Sequence, residues 1–265
     1  MNNEWSKVVE EGVSGFLRSD QWSEYLKFSA RFHQYSFCNT FLIMCQMPAA
    51  TRVAGYNAWK KMGRQVQRDE HGIKIFVPFK GKVIRDDEEH EVLKGFGIGN
   101  VFDVSQTKGD PLPEIVTSIS GEDQVSIYAK LLQLAKSKGL EVEFEKMGAF
   151  GYLNANDKIG LAEGHDLNQS AQTLAHELAH WYLAHLGSDI SRDLAEFEAE
   201  STAFVLCEHF GFATHQVTMG YLASWCKTEQ KLHEMVISSG TRVMKAAKKI
   251  IEALEEKDGK KAQEV

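Results

Sequence analysis

Two histidines four residues apart, His176 and His180, with Glu177 between them in TLAHELAHWYLAHLG, constrain this chain more than any other feature. Positions i and i+4 lie one above the other on a helix, so both imidazoles reach a single ion when the segment is helical. Zinc takes neutral histidine nitrogens and is normally four-coordinate. Glu177 follows the first histidine and projects beside the ion. There it can take a proton from a water whose pKa zinc lowers to around 7. The expectation is a Zn2+ site with His176 and His180 as ligands and Glu177 as the catalytic base. Leu174, Leu178, Trp181 and Tyr182 supply the apolar stripe that the same helix must bury.

Two histidines leave a catalytic zinc one protein ligand short. A carboxylate-rich helix, DLAEFEAESTAFVL, follows after a short turn, and the candidates are Asp189, Asp193, Glu196, Glu198 and Glu200. Glu196, Ala199, Glu200, Ala203 and Phe204 share one side of it. Glu200 is flanked by small residues and is the preferred third ligand. Glu196, one turn earlier, is either the ligand or a partner of a histidine. Glu198 lies off the stripe and is expected to be solvated. His185, five residues after His180, is off the ligand line and reads as a surface histidine or one that supports a ligand from behind. His165 reads as a loop histidine, with a role at an oxyanion as the sharper alternative. His209, His215 and His233 have no ligand spacing.

The rest of the chain reads as an α+β protein in two parts. Helical spacing of apolar residues covers about the first 48 residues, up to Pro48. TRVAGY, GIKIFVPF and NVFDVSQT have strand composition, with a short helix in NAWKKMG and a charged loop or hairpin tip in DDEEHE. Residues 105–121 are rich in Ser, Thr, Gly and Pro and read as a linker, which gives domains 1–113 and 114–265. The second part begins with a helix over about 122–138. Strands follow around 141–145, 149–153 and 158–163. The metal-site helix runs from a cap at Asn168 or Ser170 to about Leu186, and a further helix from about Arg192 to Phe210 ends at Gly211. One or two more helices come after it, and the last ten residues are expected to fray.

Composition narrows the function classes. The longest apolar run falls short of the ~20 residues that cross a bilayer, and MNNEWSKVVEEG is too polar and acidic for a secretory signal. The expected location is cytoplasmic. Four cysteines, Cys38, Cys45, Cys207 and Cys226, form no CxxC pair and are expected to be small buried side chains that stay reduced. The net charge of -7 hides a basic stretch over residues 51–85. Arg52, Lys60, Lys61, Arg64, Arg68, Lys74, Lys80, Lys82 and Arg85 face only Asp69 and Glu70 there, a local +7 suited to phosphates.

With those residues placed, a resemblance emerges. From Tyr35 to Pro78 the chain carries YS-x-x-N-x-x-LI-x-x-Q-x-P, AT-x-VAGY-x-x-W-x-x-x-GR-x-V and GI-x-I-x-x-P, and NVFDVSQTKGDPLP follows. This stretch, roughly residues 4–113, resembles the N-terminal domain of ArdC-type antirestriction proteins. The second half, through GY at Gly151, HELAH, and EAESTAF from Glu198, is similar to the accompanying zincin domain, a relative of ImmA/IrrE-type metallopeptidases. In such domains the third ligand is a glutamate four residues before an aromatic, as Glu200 stands to Phe204. Two departures are Cys38, where a polar or larger residue is expected, and the loop QRDEHG, which is less basic than usual.

The resemblance implies a mobile-element protein whose N-terminal domain binds single-stranded DNA with little sequence preference. Cations that track the backbone and aromatics that stack on bases do that physically. Tyr56 and Trp59 interleave with Arg52, Lys60 and Arg64, and Lys74 adds a further cation. Trp59 reads equally well as core. Asn39 and Gln46, seven apart on one helix, either bind nucleotide or satisfy buried backbone groups. The expected function pairs this DNA binding with zinc-dependent peptide hydrolysis, the substrate pairing along the strand near Lys158–Ala162. The alternative is a non-catalytic protein that protects DNA by occupancy and whose metal is structural or vestigial. A nuclease fits less well, because nucleases favour carboxylate-rich two-metal sites.

Overall fold

In the computed structural model, residues 19–85, 88–112, 121–212 and 229–261 are described. His215 and Cys226 lie outside them. The chain divides into two compact units, one of residues 1–15 and 35–114 and the other of residues 16–34 and 115–265. A single cut at 113/114 therefore misplaces the early helix, which packs in the second unit.

In the first unit, Ser36 caps helix α2 (Phe37–Gln46) by accepting from Asn39 N. Strand β1 (Val53–Gly55), the short helix α3 (Tyr56–Lys61) and strand β2 (Arg64–Val66) follow. Strands β3 (Ile73–Arg85) and β4 (Glu88–Asp103) form one long antiparallel hairpin, and β1 pairs on the end of β4. Strand β5 (Thr107–Gly109) pairs with β2. The hairpin is far longer than the two strands expected over 72–79 and 100–107. Its second arm carries GFGIGN, whose glycines argue against a strand. Two of them are covered by bulky side chains: a Cβ on Gly99 would run into Val77, diagonal to it, and one on Gly95 would come 2.9 Å from Phe79, directly across. The Val77 and Phe79 side chains of β3 lie over Gly99 and Gly95 of β4, while Gly97 faces open space. The expected linker also starts too early, because residues 105–109 belong to a turn and to β5.

Polar side chains lock this unit. Asp103 accepts from the backbone N–H groups of Thr51, Arg52 and Ser105. Burial alone would raise its carboxyl pKa, but those donors hold it below the usual carboxylate range. Asn39 Nδ2 donates to Phe76 O and its Oδ1 accepts from Phe76 N, both at 2.8 Å. Gln46 does the same for Lys74, at 2.9 Å each way. Two amides seven residues apart on α2 thus bond alternate residues of β3 as a neighbouring strand would. Replacing Asn39 by alanine leaves both Phe76 groups without these partners. The expected loss is about 1–3 kcal/mol of stability, read by chemical denaturation. Unchanged stability in that variant would contradict this role.

The second unit opens with helix α1 (Ser19–Ala30), whose Trp22 donates to Ser201 Oγ at 3.1 Å and stacks on Tyr25 and Phe197. After helix α4 (Gly121–Ser137) come strands β6 (Glu141–Glu145), β7 (Gly151–Leu153) and β8 (Lys158–Ala162), in the order β6-β8-β7. β8 is parallel to β6 and antiparallel to β7. It is the central strand, with both edges occupied, so no peptide adds to Lys158–Ala162. The outer edges of this sheet belong to β6 and β7. Helices α5 (Leu167–Tyr182), α6 (Arg192–Phe210) and α7 (Glu229–Lys261) complete the unit. α5 is capped by Asp166, not Asn168 or Ser170, and ends at Tyr182. α6 stops at Gly211 with φ 68°, the left-handed C-cap that glycine favours. His209, which has no ligand spacing, bonds Ala30 O and Glu255 and so ties α1 and α7 to α6. Among the described residues no helix is long and apolar enough to cross a membrane.

Candidate metal centre

Helix α5 buries Leu174, Ala175, Leu178 and Ala179 completely. Against that face, Ala179 and Ala199 let α6 approach closely. The adjoining stripe, Thr173, His176, Glu177 and His180, lines a cavity of about 580 Å³ with Glu196 and Glu200 of α6.

The two Nε2 atoms of His176 and His180 are 3.0 Å apart. Glu196 Oε2 lies 3.4 Å from the first and 3.7 Å from the second. These three residues present donor atoms all within 4.8 Å of one another. Zinc–nitrogen bonds are about 2.0–2.1 Å long, so a pair of nitrogens at this spacing spans one ion. Two imidazoles and a carboxylate suit zinc or another borderline divalent metal.

Glu200 sits elsewhere. Its Oε2 is 2.9 Å from His176 Nδ1, on the far side of the ring from the convergence point. The geometry groups Glu196, rather than the preferred Glu200, with the two Nε2 atoms. Glu196 lies on the Nε2 side of both rings, and Glu200 meets the first imidazole at its other nitrogen. Burial would lower the pKa of His176, but the carboxylates of Glu196, Glu200 and Glu177 outweigh it and push the value up to about 10. Hydrogen bonds to the two histidines pull Glu196 well below the usual carboxylate range.

Glu198 departs furthest from expectation. It is 1% exposed rather than solvated. Its Oε2 is 2.9 Å from His185 Nε2, and Arg242 Nε of α7 reaches both its oxygens, at 2.9 and 3.1 Å. Burial opposes its charge, yet the bonds from His185 and Arg242 keep it ionised, with a lowered pKa. His185 in turn places Nδ1 2.8 Å from His180 Nδ1. Burial, aided by His180 and Arg242, lowers its pKa against the pull of Glu198. The signal for Arg242 was absent from the sequence, since it is 44 residues from Glu198.

Glu177 is buried, and burial raises its pKa while the two histidines oppose the shift. That is the direction expected of a carboxylate that takes up and returns protons. Gly151 of β7 sits against it. A Cβ there would stand 2.5 Å from Thr173 Cγ2 and 3.3 Å from Glu177 Oε1. Only glycine lets β7 lie this close to Thr173 and Glu177. His165 is exposed, with its ring 5.1 Å from that of Phe150.

In the first unit the expected DNA-binding residues separate. Trp59 is 2% exposed and donates to Phe102 O at 2.8 Å, so it is core and offers no stacking face. Arg64 bonds Thr107 Oγ1 and the carbonyls of Thr107, Gly109 and Asp110, which commits its guanidinium to β5. Asn39 and Gln46 serve β3. Tyr56 is 48% exposed. Lys60, Lys61 and Lys74 are exposed and Arg52 is half-buried. Lys80 and Lys82 pair with Glu91 and Glu89, so the hairpin is less cationic than the stretch 51–85 suggests. The exposed Phe79 and Phe96 were not anticipated. The cysteines also depart from expectation, Cys45 being exposed and Cys38 half-buried, while Cys207 is buried.

Comparison with known proteins adds an independent line. Residues 4–108 match the family described as the N-terminal domain of anti-restriction factor ArdC. An uncharacterized protein of Bacillus anthracis is 24% identical over 298 residues, covering 95% of this chain and 50% of that protein. The chain thus spans half the length of that relative. Two crystal structures of the antirestriction protein ArdC from plasmid R388 are similar in fold. The metal-free structure has a TM-score of 0.51 and 20% identity, covering 84% of this chain and 86% of that one. The Mn(II)-bound structure has a TM-score of 0.50 and 19% identity, covering 84% of each.

Proposed function

We propose that this protein, whose residues 4–108 match the N-terminal domain of anti-restriction factor ArdC, binds single-stranded DNA and holds a catalytic divalent ion, zinc by its donor set, that serves peptide-bond hydrolysis. The observation that carries the second half is the convergence of His176 Nε2, His180 Nε2 and Glu196 Oε2 beside the buried Glu177. The likeness to a protein crystallised with Mn(II) supports a metal there. Bound, the ion supplies Lewis-acid chemistry, polarising a carbonyl and acidifying water. The chain's own residues do the rest. His176 and His180 orient Nε2 inward. Glu177 accepts the proton of the attacking water and delivers it to the leaving amine. The open edge of β7 offers backbone groups to an extended peptide, with Gly151 keeping that strand close to the base.

For DNA, the support is the family match together with exposed Tyr56 beside Lys60 and Lys61. Of the two aromatics, Tyr56 is the one exposed for stacking, and Arg52 and Lys74 add charge. Affinity for an unstructured oligonucleotide is expected to fall linearly with log salt, by ~0.7 per neutralised phosphate. The double variant Lys60→Ala, Lys61→Ala should flatten that slope by ~1.4. Fluorescence anisotropy across a salt series measures it. An affinity indifferent to salt, or a slope unchanged in the double variant, would remove this surface from the reading.

A further inference from the structure

We infer that His185, Glu198 and Arg242 form a positioning relay that holds His180 toward the metal, an inference that rests on the metal centre proposed above. The relay is continuous. His180 Nδ1 meets His185 Nδ1 at 2.8 Å, His185 Nε2 meets Glu198 Oε2 at 2.9 Å, and Arg242 Nε bridges both Glu198 oxygens.

One arrangement of protons satisfies every link. A neutral His180 that ligates through Nε2 must carry its proton on Nδ1 and donate from there. The only partner offered by these contacts is His185 Nδ1, which then accepts. A neutral His185 that accepts on Nδ1 carries its proton on Nε2 and donates to Glu198. Glu198 accepts on both oxygens, and Arg242 only donates. Metal on His180 Nε2 therefore selects the tautomer of His185, and Glu198 selects the same one from the other end. His176 is held differently, directly by the carboxylate of Glu200. The two ligand histidines thus have supports of the same kind, one with an imidazole interposed.

Helical geometry alone would put His185 out of reach, five residues past His180. The end of α5 corrects this. Ala184 takes φ 55°, with His185 N bonded to His180 O at 3.1 Å and Ala184 N to Trp181 O at 3.0 Å. That is the Schellman closure, usually built on glycine. It folds the chain back so that the His185 ring lies 4.9 Å from that of His180, at 75° to it. Arg242 also donates to Leu183 O at 2.9 Å, so α7 clamps the same turn. The His185 and Glu198 side chains are only 4% and 2% exposed. A buried carboxylate that is no ligand, satisfied by a histidine on a ligand's back, has this use.

Partners of this kind alter metal affinity by ~10–100-fold when removed. The test is titration of the full chain with Zn2+ against a chelator, and with Co2+ by visible absorption, each variant's metal-free melting being recorded alongside. His185→Gln is expected to weaken Zn2+ by ~10–100-fold and to change the Co2+ spectrum. Arg242→Met, half-exposed at the end of the relay, should give a smaller loss in the same direction and serves if His185→Gln does not fold. Wild-type Zn2+ affinity and an unaltered Co2+ spectrum in the folded variants, whatever their melting temperatures, overturn the relay and leave a plain packing role. A wild-type chain that takes up no Zn2+ overturns the metal centre itself, and Glu196→Ala is then silent too.

Discussion

Replacing Glu196 by alanine is expected to abolish stoichiometric metal binding, whereas replacing Glu200 weakens it by ~10–100-fold and leaves the stoichiometry intact. The two glutamates are one turn apart on α6 and equally acidic in sequence. They differ in which nitrogen of His176 they meet. Glu196 Oε2 lies 3.4 and 3.7 Å from the inward Nε2 atoms, while Glu200 Oε2 lies 2.9 Å from Nδ1 behind the ring. Removing Glu196 leaves two imidazoles, too few to hold a structural or catalytic zinc. Removing Glu200 leaves all three donors and loosens one ring. Metal analysis after gel filtration, with chelator competition for the affinities, separates the cases. The reverse pattern, metal lost with Glu200→Ala and kept with Glu196→Ala, would return the third ligand to Glu200.

Glu177→Gln is the second large effect. The substitution preserves shape beside Gly151 and Thr173 and leaves the three metal donors in place. Metal content and oligonucleotide affinity are therefore expected to stay at wild-type levels. Peptide cleavage should fall by ~10²–10⁴, the range for a lost general base, measured on a library of unstructured peptides. A variant that cleaves as fast as wild type would remove Glu177 from the chemistry. Undiminished protection of DNA by the same variant would assign that activity to occupancy rather than hydrolysis.

The chain's sequence carried the centre of the site and left its periphery open. The i, i+4 pair of His176 and His180 and the adjacent Glu177 are local facts, since a helix repeats every 3.6 residues whatever surrounds it. The same holds for the Gly211 stop and the stripe of Leu174 and Leu178. Glycine-rich β4 was illegible for the opposite reason: it is a strand by pairing with β3, whose Val77 and Phe79, more than fifteen residues away in the chain, lie over Gly99 and Gly95. Helix α1 looked like part of the first domain because it precedes α2 in sequence. Its partners, Ser201 and Phe197, are more than 170 residues later.

Motif landmarks showed where specificity of sequence ends and assignment of role begins. Asn39, Gln46, Trp59 and Arg64 all stood out in the pattern, and each proved to bind backbone of its own unit. A side-chain amide or guanidinium serves a strand edge as readily as a nucleotide, and composition does not distinguish the two.

What the sequence determined by itself is that two imidazoles and a carboxylate would stand together on one helix, because that outcome needs only backbone periodicity. Which glutamate of the next helix joins them, and that His185, Glu198 and Arg242 stand behind them, was decided by tertiary structure. The rotation of α6 against α5, the left-handed turn at Ala184 and the arrival of α7 each set distances of a few ångströms between residues far apart in the chain. Hydrogen bonds and metal coordination fail when such distances are off by even one ångström.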